Sequence, residues 1–221
     1  MIELDDYFDS ESIKKELEGD ANEEFAHILN TTGGKLSPKI ISLTKKLSAN
    51  PKGNFPVSDY SSYSDREWLL EKITGQHPIK IYFYKKDEAF NGLKRALLYY
   101  SIPDFSAFGT IKSYNTSRSY SSLFNIFISY VFKDNCLLAN DPTEISCITS
   151  AMLNDALDRA KANKDAPRHY NSIFRMIRLW FSLSSEGIIP EKYKINIDYT
   201  SVDNKRRHKD VIEHFRGTVS T

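Results

Sequence analysis

The chain has 221 residues, of which 40% are hydrophobic and 13% aromatic, and 30 Lys and Arg nearly balance 29 Asp and Glu to give a formal net charge of +1. This balance argues against a basic nucleic-acid coat protein and a disordered acidic tail, and the length is sufficient to bury a core without disulfides. No apolar run approaches the roughly 18 residues of a membrane span. The acidic first residues, Met1 to Asp6, are unlike a signal peptide, so a cytoplasmic location without membrane contact is expected.

Residues 1–110 form a first region whose secondary-structure signals are mixed. Helical patterns over residues 11–29 and 37–47 are followed, over residues 48–64, by a stretch rich in Pro, Ser, Asn and Gly that is typical of a loop. The sequence assigns no role to this region. Its net charge is slightly negative, whereas that of the remaining chain is slightly positive.

The end of this first region gives clearer patterns. A capped helix is predicted around Trp68. The alternating β-branched and aromatic residues 79–84 predict a strand, in which Tyr82 and Tyr84 are expected to be packing residues rather than a stacking platform for bases. Residues 89–100 then return to a helical period.

Residues 111–200 predict a helical bundle with a regular apolar stripe on each helix. A first helix is expected to be capped by Ser117, and a single second helix to start at Asp141, where an Asp-Pro-Thr-Glu sequence is a strong start signal. A third helix is expected to open at Pro167 and to end at Gly187.

These patterns predict a mainly α-helical protein, in which a C-terminal helical bundle is preceded by an N-terminal α+β or irregular helical region. Three segments are expected: the region 1–110, a helical domain over 111–200, and a basic linker or start of a further domain over 201–221.

The polar face of the third helix carries the clearest functional signal, because it holds three arginines, an amide and two hydroxyls (Ser172 and Ser182) but no acid. Arg and Lys bind phosphates and guanine, Asn pairs with adenine, and Ser bonds to either, while a helix start favours an anion. A solvated face that happens to lack acids is the alternative. The residues of this predicted surface are Arg168, His169, Asn171, Ser172, Arg175 and Arg178.

Three further groups would extend this surface. Two loop lysines precede the third helix, a basic run occupies residues 205–209, and capping residues open the first helix. Ordinary loop lysines, an ordinary charged linker and simple capping are the alternatives for these groups. The additional candidates are Ser117, Arg118, Ser119, Lys161, Lys164, Lys205, Arg206, Arg207 and Lys209.

Motifs for catalysis or metal binding do not occur in the sequence: there is no P-loop, GxGxxG, GxSxG or HExxH. Cys136 and Cys147 are expected to be partly buried thiols rather than a disulfide or a zinc site. No cofactor and no metal are therefore predicted. An enzyme of unrecognised type would be indicated by a pocket near the predicted strand on which His77, Asp87 or Glu88 converge.

Residues 116–190 resemble the core-binding domain of tyrosine recombinases, the phage integrase family. The shared pattern opens with Ser/Thr residues and an aromatic helix (116–124), and continues with a second helix from Asp141. A third helix starts near small and basic residues (166–171), contains an aromatic pair, and ends in Gly-Ile-Ile-Pro (187–190).

The resemblance implies a four-helix domain that closes over one side of a DNA duplex, with helix faces in the major groove and on phosphates. The chain would then be the DNA-binding portion of an integrase-like site-specific recombinase. Its partners would be double-stranded DNA and other copies of itself on that DNA. Contacts would come from the first-helix and third-helix candidates, while residues 205–209 would lie in the linker or next domain.

The family's catalytic domain uses two arginines, a His-x-x-Arg motif and a tyrosine nucleophile, and this sequence contains no His-x-x-Arg. The chain is therefore expected not to be an enzyme, and to be either a piece of a longer protein or a non-catalytic relative. The alternative function is a non-catalytic helical protein-interaction module, whose aromatic-rich bundle binds a partner helix.

Overall fold

The computed structural model describes residues 56–72, 77–106, 113–139, 141–197, 206–207 and 209–214. The helices predicted over 11–29 and 37–47, and the candidate Lys205, lie outside these described residues.

A β-hairpin begins the described part of the chain. Strand β1 (Glu67–Glu71) pairs antiparallel with β2 (Ile79–Tyr82), and Trp68 lies opposite Ile81. The predicted strand is confirmed, but the helix predicted around Trp68 is wrong, because that residue lies in β1. Burial alternates along β1 with the period of two that a strand requires, and pairing with β2 satisfies its backbone.

In the described part of the chain, five α-helices with complete bounds follow, and the described residues are mainly α-helical, as predicted. They are α1 (Glu88–Tyr99), α2 (Tyr114–Val131), α3 (Pro142–Ser146), α4 (Ser150–Ala162) and α5 (Arg168–Ser185). Residues 206–207 and 209–214 are also helical, and we call them the C-terminal helical segment.

Two predicted helix boundaries are wrong, because the capping hydroxyls lie elsewhere. The Ser113 side chain accepts a hydrogen bond from the Asn115 backbone N–H and starts α2, so Ser117 lies inside this helix. The single second helix is two helices, since the Thr149 hydroxyl accepts from the Met152 N–H and starts α4. Each hydroxyl satisfies a backbone donor that a helix start leaves free.

Three predicted boundary signals are confirmed. The Asp141 carboxylate accepts from the Thr143 N–H at 2.8 Å and caps α3. Pro167 directly precedes α5, and Gly187 ends it with a left-handed φ of 65°. This backbone conformation is easy only for glycine, so the residue fits its position.

One hydrophobic core extends from Val57 to Val211 and joins the hairpin, α1 and the bundle. Trp180 of α5 lies edge-on to Phe127 of α2, with ring centroids 5.6 Å apart. The Tyr100 hydroxyl donates to the Ile188 carbonyl at 3.1 Å, and this contact links the end of α1 to the residues after α5. Residues on both sides of position 110 therefore share the same core.

Within the described ranges, no helix combines the length and the apolar character that are needed to cross a lipid bilayer.

Candidate nucleic-acid interface

Helix α5 carries a row of polar side chains that we call the arginine row, defined as Arg168, Asn171, Arg175 and Arg178. Their spacing of three and four residues places them on one side of the helix, over about 15 Å at 1.5 Å per residue. Arg168 is exposed, and the other three are half-buried. Neither α5 nor α2, which packs along it, contains Asp or Glu, so both helices are locally electropositive.

Aromatic rings lie beneath two members of the arginine row. The guanidinium carbon of Arg175 is 5.0 Å from the ring centroid of Tyr120 on α2, and that of Arg178 is 5.6 Å from the ring of Phe174. A guanidinium over an aromatic face is attracted to it and loses rotational freedom. These two cations are therefore partly oriented before any ligand arrives.

The hydroxyl candidates serve the fold rather than a surface. Ser117 and Ser172 are buried, and their hydroxyls donate to the Ser101 carbonyl at 2.6 Å and the Arg168 carbonyl at 3.0 Å. The predicted role of Ser117 and Ser172 in touching DNA is wrong for this conformation, because a buried, hydrogen-bonded hydroxyl does not reach a duplex. Ser119 is half-buried and donates to the Asn115 carbonyl at 3.0 Å.

His169, at the start of α5, is half-buried against Tyr130 of α2. The His169 Nδ1 atom is 3.2 Å from the Tyr130 hydroxyl, and the two rings meet edge to face. Burial lowers the pKa of His169, so its ring is neutral at neutral pH. This side chain therefore contributes a hydrogen-bonding group and not a cation to the predicted surface.

Two further candidates are engaged with carboxylates of the same molecule. Lys161 donates to Asp210 at 2.6 Å, and Arg207 donates to Asp158 at 2.8 Å. Both pairs link α4 to the C-terminal helical segment. The sequence did not reveal these pairs, since each carboxylate is 49 positions away from the cation that it faces.

The remaining candidates lie at the surface. Lys164 is exposed in the turn between α4 and α5, and Arg206 is exposed in the C-terminal helical segment. Arg118 is half-buried in the first turns of α2. Lys209 is exposed, with its ammonium 3.8 Å from the Glu213 carboxylate. The structure thus groups the arginine row on one helix but distributes the other cations over several elements.

A second site, which sequence reasoning missed, is a cleft of about 1110 Å³ between the hairpin, α1 and the residues after α5. Tyr82 and Tyr84 line it and are 42% and 50% exposed, so the prediction that they are packing residues is wrong. Ile79, Ile81 and Phe83 alternate with them and take the buried face. The alternation was visible in the sequence and could have indicated the exposed face.

The residues proposed for an enzyme alternative do not converge in this cleft. Glu88 lines it, whereas His77 and Asp87 are not among its lining residues. Within the described part of the chain, no cluster of His, Cys, Asp and Glu is suited to hold a metal ion. Cys136 and Cys147 are free and exposed, so the prediction of partly buried thiols is wrong.

Comparison of the chain with protein-family models, with curated proteins and with solved structures finds no match. The resemblance to tyrosine recombinases therefore depends on the residues of the chain alone.

Proposed function

We propose that the chain binds double-stranded DNA through the arginine row, as the DNA-binding portion of an integrase-like site-specific recombinase. The observation that carries the proposal is the row itself: three arginines on one side of α5, a helix without acidic residues that packs on a second such helix. Phosphate oxygens are the expected ligands, because cations on a shared face bind the DNA backbone and release its counterions.

The two ends of the row suit different tasks. Arg168 is exposed at the start of α5, so a phosphate there would meet a cation and the positive end of the helix dipole together. Arg175 and Arg178 lie over aromatic rings, which limits the entropy they lose on binding a phosphate or a guanine edge. This role needs no cofactor and no catalytic group within the chain.

The proposal includes a cytoplasmic location and further copies of the chain as neighbours on the same DNA. The recombinase part of it has a separate test, which is to extend the reading frame beyond Thr221. We expect a segment with Arg, His-x-x-Arg and Tyr. A frame that continues without them would limit the function to DNA binding.

Duplex binding is tested with the double variant Arg175→Ala/Arg178→Ala. If each guanidinium contacts one phosphate, the slope of log affinity against log salt falls by about 2, at roughly 0.9 per contact. The matched control is Lys72→Ala/Lys133→Ala, which removes two exposed lysines outside the row with the same loss of charge. Equal slopes in both double variants would contradict the proposal, since they would indicate a non-specific effect of net charge.

The protein-interaction alternative requires an apolar helix face that awaits a partner. In the described residues, the large hydrophobic side chains that are exposed are Tyr60, Tyr82, Tyr84 and Leu138. None of them belongs to α1, α2, α4 or α5. The described helices thus give this alternative no observation in its favour.

A further inference from the structure

We call the cleft beside the hairpin the tyrosine cleft, because Tyr82 and Tyr84 lie on its rim. It lies beside the end of β2, where Tyr82 and, just beyond the strand, Tyr84 are exposed, and α1 and the segment Glu191–Tyr193 form its other walls. Its lining residues include Arg66, Glu67, Tyr82, Tyr84, Lys85, Glu88, Arg95 and Lys192.

Two walls of the tyrosine cleft meet in close contact. A Cβ atom at Gly92 of α1 would lie 2.0 Å from the Tyr193 hydroxyl, so only glycine lets this tyrosine approach the helix. The carbonyl of Tyr193 accepts from the Trp180 indole N–H at 2.7 Å, which fixes the segment to the core of the bundle. The cleft is therefore a fixed feature of the packing between α1 and the residues after α5.

The aromatic pair on its rim is arranged for stacking. The rings of Tyr82 and Tyr84 are 5.8 Å apart between centroids and only 16° from parallel. Both residues are largely exposed although Phe83 between them is buried. Exposed parallel rings, one at the end of β2 and one just beyond it, offer flat faces on which unpaired bases stack, and such stacking is tolerant of sequence.

The charges around the pair favour a polyanion. Four cations line the cleft, on the hairpin, on the turn before α1, on α1 and after α5, against two carboxylates. One of these carboxylates, Glu67, is already paired with Lys80 at 2.8 Å. Cations on several elements suit successive phosphates of a strand better than a single phosphate.

Arg95 is the cation that the fold holds most firmly. Its guanidinium lies 4.3 Å from the Phe83 ring centroid and donates to the Asp65 carbonyl at 3.0 Å. Its Nε is buried and has no hydrogen-bond partner among the described residues. Arg95 also lines the cleft and is half-buried, so part of its side chain is open to a ligand there.

We propose that the tyrosine cleft binds single-stranded nucleic acid, with successive bases stacked on Tyr82 and Tyr84 and their phosphates held by the surrounding cations. Paired bases in a duplex do not offer their faces to such rings, so this site is distinct in ligand from the arginine row. A free nucleotide carries the same chemistry in one unit, and the experiment therefore includes it as a separate arm.

The test measures binding of a fluorescent oligothymidylate of about 12 nucleotides, within the range of roughly 4–16 that one such module covers. Tyr82→Thr/Tyr84→Thr removes the rings and introduces β-branched side chains, which suit an extended backbone. We expect about tenfold weaker binding or more. Tyr82→Phe/Tyr84→Phe keeps the rings and should bind within about twofold of the parent, since stacking does not need the hydroxyl.

The matched control is Tyr60→Thr, because Tyr60 is also 50% exposed but does not line the cleft. Equal affinities of Tyr60→Thr and the double threonine variant would overturn the proposal. Displacement of the labelled strand by thymidine monophosphate, at equal nucleotide concentration, would reassign the site to a free nucleotide and overturn the strand proposal as well.

A third arm separates this site from the arginine row. The Arg175→Ala/Arg178→Ala variant should lose duplex binding and keep single-strand binding, and the double threonine variant should do the reverse. A threonine variant that loses only duplex binding would overturn the proposal for the cleft. A loss of single-strand binding alone would support it even if the arginine row proved unable to bind a duplex.

Discussion

Two regions of this molecule surround their cations in different ways. Between the hairpin and the bundle, Lys94 of α1 is only 5% exposed and donates to the Tyr82 carbonyl at 3.1 Å and the Asn125 side-chain oxygen at 3.4 Å. Within the described residues, no carboxylate hydrogen-bonds to it. Burial lowers the pKa of Lys94 to about 8, against its usual value of about 10.4.

At the contact between α4 and the C-terminal helical segment, two partly exposed cations face carboxylates. Lys161 contacts Asp210, Arg207 contacts Asp158, and the Tyr170 hydroxyl also donates to Asp210. These pairs join residues that are far apart in sequence. A cation in this fold is therefore not automatically a ligand-binding site. The groups around it decide whether it lowers the stability of the fold, raises that stability or is available to bind a ligand.

The largest expected effect concerns Lys94. Its folded pKa lies below the unfolded value, so the unfolded chain binds more protons between about pH 8 and pH 10, and stability rises with pH there by about 2–3 kcal/mol. Urea unfolding across this range measures the rise. Above about pH 10 the trend reverses, because burial raises the pKa of Tyr63 and Tyr99.

The control for this prediction is Lys94→Met, which keeps the length of the side chain and removes its titration. The free energy of unfolding of this variant should be nearly flat between about pH 8 and pH 10. A rise that persists unchanged in Lys94→Met would show that other groups cause it.

The next effect concerns Asp210. Burial alone would raise the pKa of Asp210, but hydrogen bonds from Lys161 and Tyr170 outweigh it and hold this pKa below its usual value. Asp210→Ala should lower the free energy of unfolding by about 2 kcal/mol at neutral pH, because the hydroxyl of the buried Tyr170 loses its acceptor. Denaturant unfolding measures this loss.

The pH dependence gives the Asp210 prediction a second readout. A carboxylate with a lowered folded pKa stabilises the protein above its unfolded pKa of about 3.9, and this contribution is lost as the pH falls through the folded value. The difference between parent and variant should therefore shrink in acid. Glu213→Ala, which removes an exposed carboxylate in the same segment, is the control and should leave the free energy of unfolding nearly unchanged.

Local signals in the sequence predicted the helical part of the fold well. The cap at Asp141 and the glycine stop at Gly187 are decided by side chains within a few residues of each other, so a sequence reveals them. Strand β1 was not predicted, because the Glu67–Glu71 segment forms a strand only through pairing with β2. Local helix propensity contains no information on that contact.

For the candidate sites too, the sequence predicts features that depend on local spacing and misses those that depend on long-range contacts. The arginine row follows from helical spacing alone, so the sequence was sufficient to place its members on one face. The contact between Lys161 and Asp210 joins residues 49 positions apart, and the burial of Ser172 depends on the helices around α5. Sequence patterns therefore predicted which residues share a face but not what each face meets.

The smallest expected effect concerns the basic run, in which one cation stabilises the fold and another is exposed to solvent. The Arg207 guanidinium side chain is 16% exposed and donates to Asp158 and to the Asn154 side-chain oxygen. Arg207→Gln should lower the free energy of unfolding by about 1 kcal/mol, because charge-assisted hydrogen bonds to a partly exposed carboxylate are lost. Its effect on the salt slope of duplex binding should be small, since the guanidinium is already engaged.

Lys209→Ala is the matched control for Arg207→Gln, because the Lys209 side chain is 80% exposed and its pair with Glu213 is long. We expect no measurable loss of stability from this variant. A salt slope that falls by about 1 in Lys209→Ala and stays unchanged in Arg207→Gln would place the DNA contact on the exposed cation. If the salt slope falls in Arg207→Gln and stays unchanged in Lys209→Ala, the duplex displaces Asp158 from Arg207. In that case a cation paired within the fold also binds DNA, and exposure does not identify the DNA contact.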